Sequence, residues 1–345
     1  MKILINTPSL NLLAGVANHY LGLKDYWREK VVYHTVGKRS PNGNGLFWLP
    51  FDVIAFILKL IFFTPDIVLL NPSMARRAIK RDFIFLRIAR MFGVKVAVMF
   101  HGFHTDNVKG MEQYIAKTLN KASCILILAD SFREILRQWG VTVPIELVTT
   151  KVDDKLLEHY KQEDRKHSIS NVLYLARTTK EKGIFIFIET CLLLHNQYPN
   201  LKFTVVGDGV DLEKAKNMAR PLGDSIRFTG GLSGDKLVNE FVNADLYLFT
   251  SYHEGMPTSV LEAMAFGLPV ITRPVGGLVD FFTSEMGAIV DSFNPADFAK
   301  VIGEYVEQPD RIASISGFNN KYACEHFLAS KVAGKMEGVL KSHLK

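Results

Sequence analysis

Cysteine is scarce in this chain. Cys124, Cys191 and Cys324 are three in 345 residues, odd in number and far apart. That spacing implies neither a disulfide framework nor a zinc site, and a reducing compartment is expected. Long apolar runs are missing as well. The most apolar stretch, Leu46–Phe63, is interrupted by Pro50, Asp52 and Lys59, and falls short of the roughly 20 clean residues that a spanning helix requires. The few apolar residues after Met1-Lys2 are too short a run for a signal peptide, whose apolar core takes roughly 7–15 residues. Repeats and low-complexity tracts are absent. The opening strand does not lead into G-x-G-x-x-G, so the nicotinamide-dinucleotide fingerprint is lacking.

What is present is ordinary for a globular protein. Hydrophobic residues make up 48% and charged residues 22%, which excludes a disordered or collagen-like chain. At roughly 150 residues per domain the length suits two domains. The net charge of +6 is unevenly spread. Arg76, Arg77, Lys80, Arg81, Arg87 and Arg90 face only Asp82 within Ala75–Arg90. Such a cluster suits an anionic surface, either nucleic acid or the negative face of a membrane. Leu46–Phe63, just upstream, reads either as a buried core helix or as an interfacial helix lying in a membrane surface.

Short apolar runs alternate with helical patterns along the whole chain. Strands are expected at Lys2–Asn6, Ile67–Leu70, Val94–Phe100, Cys124–Leu128 and Ile145–Val148. A second series follows at Asn171–Leu175, Lys202–Val206, Ile226–Thr229, Leu246–Thr250 and Pro269–Thr272. Helical patterns fall at Ala75–Met91, Met111–Lys121, Lys182–His195 and Pro257–Phe266. Continuous apolar strands between helices indicate parallel sheets covered on both faces. About five strands in each half fit two doubly wound α/β domains, with the boundary in the charged stretch Lys151–Ser170.

Chemistry gathers where strands end. After Leu246–Thr250 comes His253-Glu-Gly-Met-Pro-Thr-Ser-Val-Leu-Glu262, with Glu254, Gly255, Met256 and Pro257 in the loop. Pro257 suits a first helical turn, and the N–H groups of Thr258, Ser259 and Val260 are placed to meet an anion. Glu262 follows within the helix. After Asn171–Leu175, Arg177 and Lys182 enter a helix that begins near Gly183, a plausible diphosphate cradle. Gly207-Asp-Gly209 makes a strand-to-loop turn. In the first half, Leu13-Ala14-Gly15 follows the opening strand, and Gly15 allows close backbone approach. His101 stands at a strand end, with His104 shortly after.

Taken together, these motifs resemble a retaining GT-B glycosyltransferase of family 4, glycosyl transferases group 1, over nearly the whole chain. Glu254 and Glu262 match its E-x7-E signature, and Arg177 and Lys182 match its R-x4-K pair. Gly207-Asp-Gly209 matches its glycine turn, and His101 its strand-end histidine. Ala14-Gly15 stands where the family usually has Gly-Gly, and Thr150-Lys-Val-Asp153 where it often has Asn-Gly-Val-Asp. The resemblance implies two Rossmann-like domains facing across a cleft. An acceptor-binding, membrane-facing domain would occupy residues 1–160 and a nucleotide-sugar domain 161–325. A helix over 326–345 would pack back on the first.

It also implies metal-independent transfer of a sugar, without cofactor, from a nucleotide-sugar (UDP first, GDP next) to a glycan hydroxyl. The acceptor is expected to be a lipid-linked saccharide in lipopolysaccharide, O-antigen or capsule assembly. The work would be done at the cytoplasmic face of the membrane, with docking through Leu46–Phe63 and Ala75–Arg90 and no nucleic acid involved. By this resemblance His101, Glu254, Arg177 and Lys182 act at the reaction. Gly15, Gly207, Gly209, Gly255–Val260 and Glu262 bind the donor. A nucleotide-sugar 2-epimerase and a non-catalytic sugar-nucleotide binder are the alternatives.

Overall fold

Strands whose side chains are buried on both faces must lie inside a layered sheet, and this chain builds two such sheets. The computed structural model describes every residue except residues 12–14, Pro41, Asn42, Asn44, Leu46, Lys166, His167 and Lys345. The Leu13-Ala14 part of the first loop and the Leu46 end of the apolar stretch therefore lie outside the described residues.

In the first half the elements run β1 (Lys2–Thr7), α1 (Gly15–Leu23), β2 (Lys30–Thr35), α2 (Leu49–Phe63), β3 (Ile67–Leu70) and α3 (Arg76–Met91). They continue with β4 (Lys95–Phe100), α4 (Glu112–Leu119), β5 (Cys124–Ile127), α5 (Asp130–Gln138) and β6 (Ile145–Leu147). In the second half they run β7 (Asn171–Leu175), α6 (Ile184–Gln197), β8 (Lys202–Val206), α7 (Leu212–Met218), β9 (Ile226–Gly230), α8 (Asp235–Asn243) and β10 (Leu246–Phe249). Then come α9 (Thr258–Ala265), β11 (Val270–Thr272), β12 (Gly287–Ile289), α10 (Pro295–Val306), α11 (Pro309–His326) and α12 (Ala329–Ser342).

The chain divides into two units, Met1–Lys151 with Ala329–Lys345, and Val152–Leu328. In the first, α12 returns to α1, and Glu337 accepts the backbone N–H groups of Arg28 and Glu29 at 2.8 and 2.9 Å. Each unit holds six parallel strands, in the orders β2-β1-β3-β4-β5-β6 and β12-β11-β10-β7-β8-β9. The expectation of about five strands per half thus missed one in each, β2 and β12. Both are edge strands. β2 (Lys-Val-Val-Tyr-His-Thr) is half-exposed with polar residues at both ends, and β12 is only three residues long.

Alternation along the central strands feeds two cores in the second unit. Val172, Tyr174, Phe203, Val205, Leu246 and Leu248 join Phe187 and Cys191 of α6 and Phe298 and Ile302 of α10. Leu173, Val206, Tyr247 and Phe249 join Phe241 of α8, Val260 and Leu261 of α9 and Ala323 of α11. Each fully buried large side chain contributes about 1.5–3 kcal/mol.

The order of each sheet reverses once. In the first the switch falls between β1 and β3, and in the second between β7 and β10. Open α/β sheets bind ligands outside the carboxyl ends of strands at that point. Asn6 and Asn71 flank it in the first sheet; Arg177 and Thr250 lie just past it in the second.

The helix α2 is neither a buried core helix nor wholly exposed. Asp52, Phe56 and Leu60 form its buried stripe, while Phe51, Ile54, Leu58, Ile61 and Phe62 are exposed, Phe62 by 80%. It packs on α3. There Arg76, Arg77, Lys80, Arg87 and Arg90 are exposed, whereas Asp82 is buried and engaged by Arg81 at 2.7 Å. Among the described residues no helix is long and apolar enough to cross a membrane.

Candidate functional site

In the second unit a single buried tyrosine clamps the loop after β7. The Tyr174 hydroxyl reaches the carbonyls of Arg177 (3.2 Å) and Lys182 (3.0 Å). The loop then tightens through a short 3₁₀ turn, Lys180–Lys182, and turns at Gly183 in the left-handed region (φ +75) before α6. The helix therefore starts two residues later than the sequence pattern suggests, and Lys182 stands on the loop. Arg177 is exposed and Lys182 half-buried.

The loop after β10 is tied to the same place. Thr250 Oγ1 donates to the Gly183 carbonyl (2.8 Å), and the Tyr252 N–H donates to the Glu181 carbonyl (2.9 Å). Glu254 is thereby brought against Lys182, with Nζ–Oε1 at 2.6 Å. Ser251 Oγ donates to the same carboxylate oxygen at 2.8 Å. Gly255 is fixed from the other side, where its carbonyl accepts the Gly277 N–H at 2.8 Å. A guanidinium supports the loop from below: Arg273 donates to the carbonyls of Ser251 (3.3 Å) and Ser292 (3.0 Å) and stacks on Phe293, 3.6 Å from its centroid.

Beyond this loop Pro257 is the N-cap of α9, with extended backbone (ψ 104), and not a residue of its first turn. The Val260 N–H donates to the Pro257 carbonyl at 3.1 Å. Of the three amides expected to face an anion, that of Val260 is therefore spent inside the helix. Thr258, Ser259 and Met256 are partly exposed and Val260 is buried. The Tyr247 hydroxyl, beneath the site, reaches Ser259 Oγ (2.8 Å) and the Leu175 carbonyl (2.9 Å). Burial pushes that hydroxyl well above its ordinary pKa, and the charges of Glu262 and Glu254 push the same way. Both signature carboxylates thus lie near one tyrosine.

The glycine turn after β8 completes the arrangement. Gly207 has φ +136, and a Cβ there would lie 2.0 Å from the Ala176 carbonyl oxygen. A Cβ at Gly209 would lie 2.4 Å from the Thr178 carbonyl oxygen. Asp208 accepts the Gly231 N–H at 2.6 Å and its carbonyl accepts the Thr178 N–H at 3.1 Å. Loops after β7, β8 and β10 are laced together at one end of the sheet. A cavity of about 270 Å³ lined by Tyr160, Arg165 and Asp245 lies at the opposite, amino ends of β7 and β10. Its Arg165 is committed to the Phe241 and Ala244 carbonyls, and Asp245 to the N–H groups of Ser170 and Asn171. That cavity is part of the frame.

In the first unit Gly15 opens α1. Among the described residues nothing lies within 4 Å of a Cβ built there. His19 and Tyr20 of α1 pack edge-on to His101, with centroids at 5.0 and 5.9 Å. His101 Nε2 lies 3.0 Å from Asn71 Oδ1. His104 is exposed at the start of the turn Thr105–Val108. Burial lowers the His101 pKa to about 4 and holds that of His19 well below its ordinary value, with the charges of His101 and Lys151 adding to the effect at His19. His34, between Phe56 and Phe85, is lowered by burial to about 3.

These three rings stay neutral in the fold but protonate near pH 6.5 when unfolded. Stability should therefore fall as pH drops from about 7 toward 4, because the unfolded chain binds the additional protons. Urea midpoints at pH 7 and pH 5 measure this, and His34→Leu should flatten the slope. A midpoint that rises on acidification would contradict it.

Sequence reasoning missed Tyr174, Tyr247, Ser251 and Arg273, which read as core aromatics, a small polar residue and a lone cation. It also missed Asn71 and Tyr20. A strand-end polar residue, as at Ser251 and Asn71, was the available signal. No group of three or more His, Cys, Asp or Glu side chains placed to hold a metal ion occurs among the described residues.

Residues 158–318 match the family model of glycosyl transferases group 1. The chain carries a glycosyl transferases group 1 domain. This domain lies within the second unit and contains Arg177, Lys182, Glu254 and Glu262. Over 247 residues the chain is 28% identical to a 2-deoxystreptamine N-acetyl-D-glucosaminyltransferase of Niallia circulans, covering 68% of this chain and 62% of the relative. Over 127 residues it is 32% identical to the amylovoran biosynthesis glycosyltransferase AmsK of Erwinia amylovora, covering 34% of this chain and 31% of the relative. The aligned stretches thus span less than two thirds of either relative. HepE of Anabaena, solved with UDP and glucose, shares the fold with a TM-score of 0.74 and 16% identity, over 99% of this chain and 100% of that one. Around the group 1 domain the fold is GT-B, with two Rossmann-like domains.

Proposed function

We propose that this protein is a retaining glycosyltransferase that moves a sugar from a nucleoside diphosphate sugar to a hydroxyl of a glycan acceptor. The observation that carries this reading is the Lys182–Glu254 contact of 2.6 Å at the switch point of the group 1 domain, with Arg177 on the same loop. Transfer breaks the bond between the anomeric carbon and a phosphate oxygen, and negative charge develops on the diphosphate. Arg177, Lys182 and the Ser259 amide would stabilise that charge. The acceptor hydroxyl attacks the anomeric carbon from the side the phosphate leaves, and its proton passes to the departing phosphate oxygen. Glu254 holds the donor sugar, Glu262 the ribose hydroxyls, and His101 orients a sugar hydroxyl. With two cations at the leaving group, no metal is part of this scheme. HepE, solved with UDP and glucose, supports UDP as the first donor to test.

The test is release of nucleoside diphosphate from UDP- and GDP-sugars with glycan or lipid-linked acceptors, and the anomeric configuration of the product by NMR. Donor consumption with retention is expected; an inverted product would sink front-face attack.

The acceptor is proposed to be a lipid-linked saccharide in the assembly of a cell-surface polysaccharide. The biosynthetic relative AmsK is in keeping with this. The exposed apolar face of α2 beside the exposed cations of α3 has the composition of a surface that docks on anionic lipid, at the cytoplasmic face of the membrane. Each cation near such a surface adds about 1 kcal/mol at low salt. Sedimentation with anionic vesicles should show binding that weakens as salt rises and is lost in Phe51→Ser/Phe62→Ser. Equal binding by that double variant would point to another surface.

A further inference from the structure

Asn71 follows β3, beside the point where the first sheet reverses its order, and is buried. One contact fixes which way its amide faces. Nδ2 lies 2.8 Å from the Asn6 carbonyl oxygen, which can only accept. The nitrogen must face β1, so Oδ1 faces the opposite partners. Those are the Tyr20 hydroxyl at 2.7 Å and His101 Nε2 at 3.0 Å. An amide oxygen only accepts, so the hydrogen of this second contact belongs to His101. A neutral imidazole has a single N–H, and burial keeps this ring neutral at pH 7. Its Nδ1 is left with a lone pair.

We infer that Asn71 is a positioning residue that fixes His101 in the Nε2–H tautomer and so makes Nδ1 an acceptor for a sugar hydroxyl. The hydroxyl part rests on the proposed role of His101 in transfer. The diphosphate oxygens of a nucleotide-sugar, esterified at both ends, and carboxylate oxygens carry no hydrogen at neutral pH and would meet the lone pair of Nδ1 unfavourably. A hydroxyl can donate to it. A second observation points to a polar occupant where these strand ends meet α1. His19 Nε2 and both polar atoms of the Asn6 side chain are buried with no hydrogen-bond partner among the described residues. Such atoms are costly to leave unmet. A ligand whose hydroxyls both donate and accept could satisfy all three.

The test is a long-range proton–nitrogen NMR spectrum of the full chain labelled with ¹⁵N-histidine, with His101→Gln used to assign the ring. Between pH 6 and 8 the wild-type ring should show a protonated Nε2 and an unprotonated Nδ1. The opposite tautomer, or an averaged pair, overturns the inference. In Asn71→Leu the acceptor is gone and the ring should become a tautomer mixture; an unchanged spectrum overturns the part given to Asn71. If that variant does not fold, Asn71→Asp serves. There the acceptor is kept and charged, so the His101 titration should move up from about 4, and an unmoved titration overturns the contact. With an active donor, Asn71→Leu should lower kcat about 100-fold while KM for the nucleotide-sugar stays unchanged. A loss confined to KM overturns the positioning role. A locked Nε2–H ring in a chain that turns over no nucleotide-sugar would retire the proposed transfer and leave the lock standing.

Discussion

Lys182→Ala should lower kcat by about 10²–10³-fold, with a smaller change in KM for the donor. Charge develops on the leaving diphosphate in the transition state, and losing one preorganised donor to such charge raises the barrier by ~2.7–4 kcal/mol. The geometry makes Lys182 the more damaging of the two cations to remove. Its ammonium sits 2.6 Å from Glu254 in a half-buried contact, whereas Arg177 is exposed. Alanine would leave Glu254 with the Ser251 hydroxyl at 2.8 Å as its hydrogen-bond partner among the described residues, and a poorly compensated carboxylate would then face the donor phosphates. Lys182→Arg keeps the charge and should recover part of the rate. Steady-state kinetics with one donor settles the point: a near-wild-type kcat in Lys182→Ala would remove this residue from the leaving group. Arg177→Ala should also lower kcat.

Gly183→Ala should destabilise the second unit by about 3 kcal/mol. Two costs add. The left-handed backbone at φ +75 costs an L-residue about 1–2 kcal/mol. The new Cβ would lie 2.0 Å from the Thr250 carbonyl oxygen, and forcing atoms into a packed site costs about 1–3 kcal/mol more. Because Thr250 also bonds back to the Gly183 carbonyl at 2.8 Å, moving the two apart separates Lys182 from Glu254, and activity should fall with stability. Gly15→Ala is the contrast. No atom of the described residues lies within 4 Å of a Cβ there, so its stability should stay within about 0.5 kcal/mol of wild type. Urea unfolding of both variants measures the difference, and equal midpoints would contradict the close approach at Gly183.

The central strands were legible in the sequence because burial on both faces leaves them little choice of residue. Ile67–Leu70, Asn171–Leu175 and Lys202–Val206 stand as read. β2 was not, since an edge strand keeps one side in solvent and tolerates the polar residues that blur its pattern, and β12, Gly-Ala-Ile, is too short to make a run. Arg177, Lys182, Glu254 and Glu262 could be singled out because strand ends are where an α/β sheet presents polar groups. Their pairing could not be: Lys182 and Glu254 are 72 positions apart, and the bonds of Thr250, Ser251 and Tyr252 to the first loop bring them together. The stripe of α2 was ambiguous for a different reason. It is apolar nearly all round, so periodicity cannot say which face meets the core, and buried Asp52 is the residue a pattern would place outside.

The central claim is that the second unit binds a nucleoside diphosphate sugar through these residues. Thermal unfolding of wild type and of Glu262→Ala with UDP-, GDP-, ADP- and dTDP-sugars tests it most directly. A ligand at 100 times its Kd adds ~2.7 kcal/mol, a clear rise in Tm. Stabilisation of the wild type by one nucleotide family, diminished in Glu262→Ala, is the expected result. An unmoved Tm with every nucleotide-sugar, at concentrations up to millimolar, would contradict it.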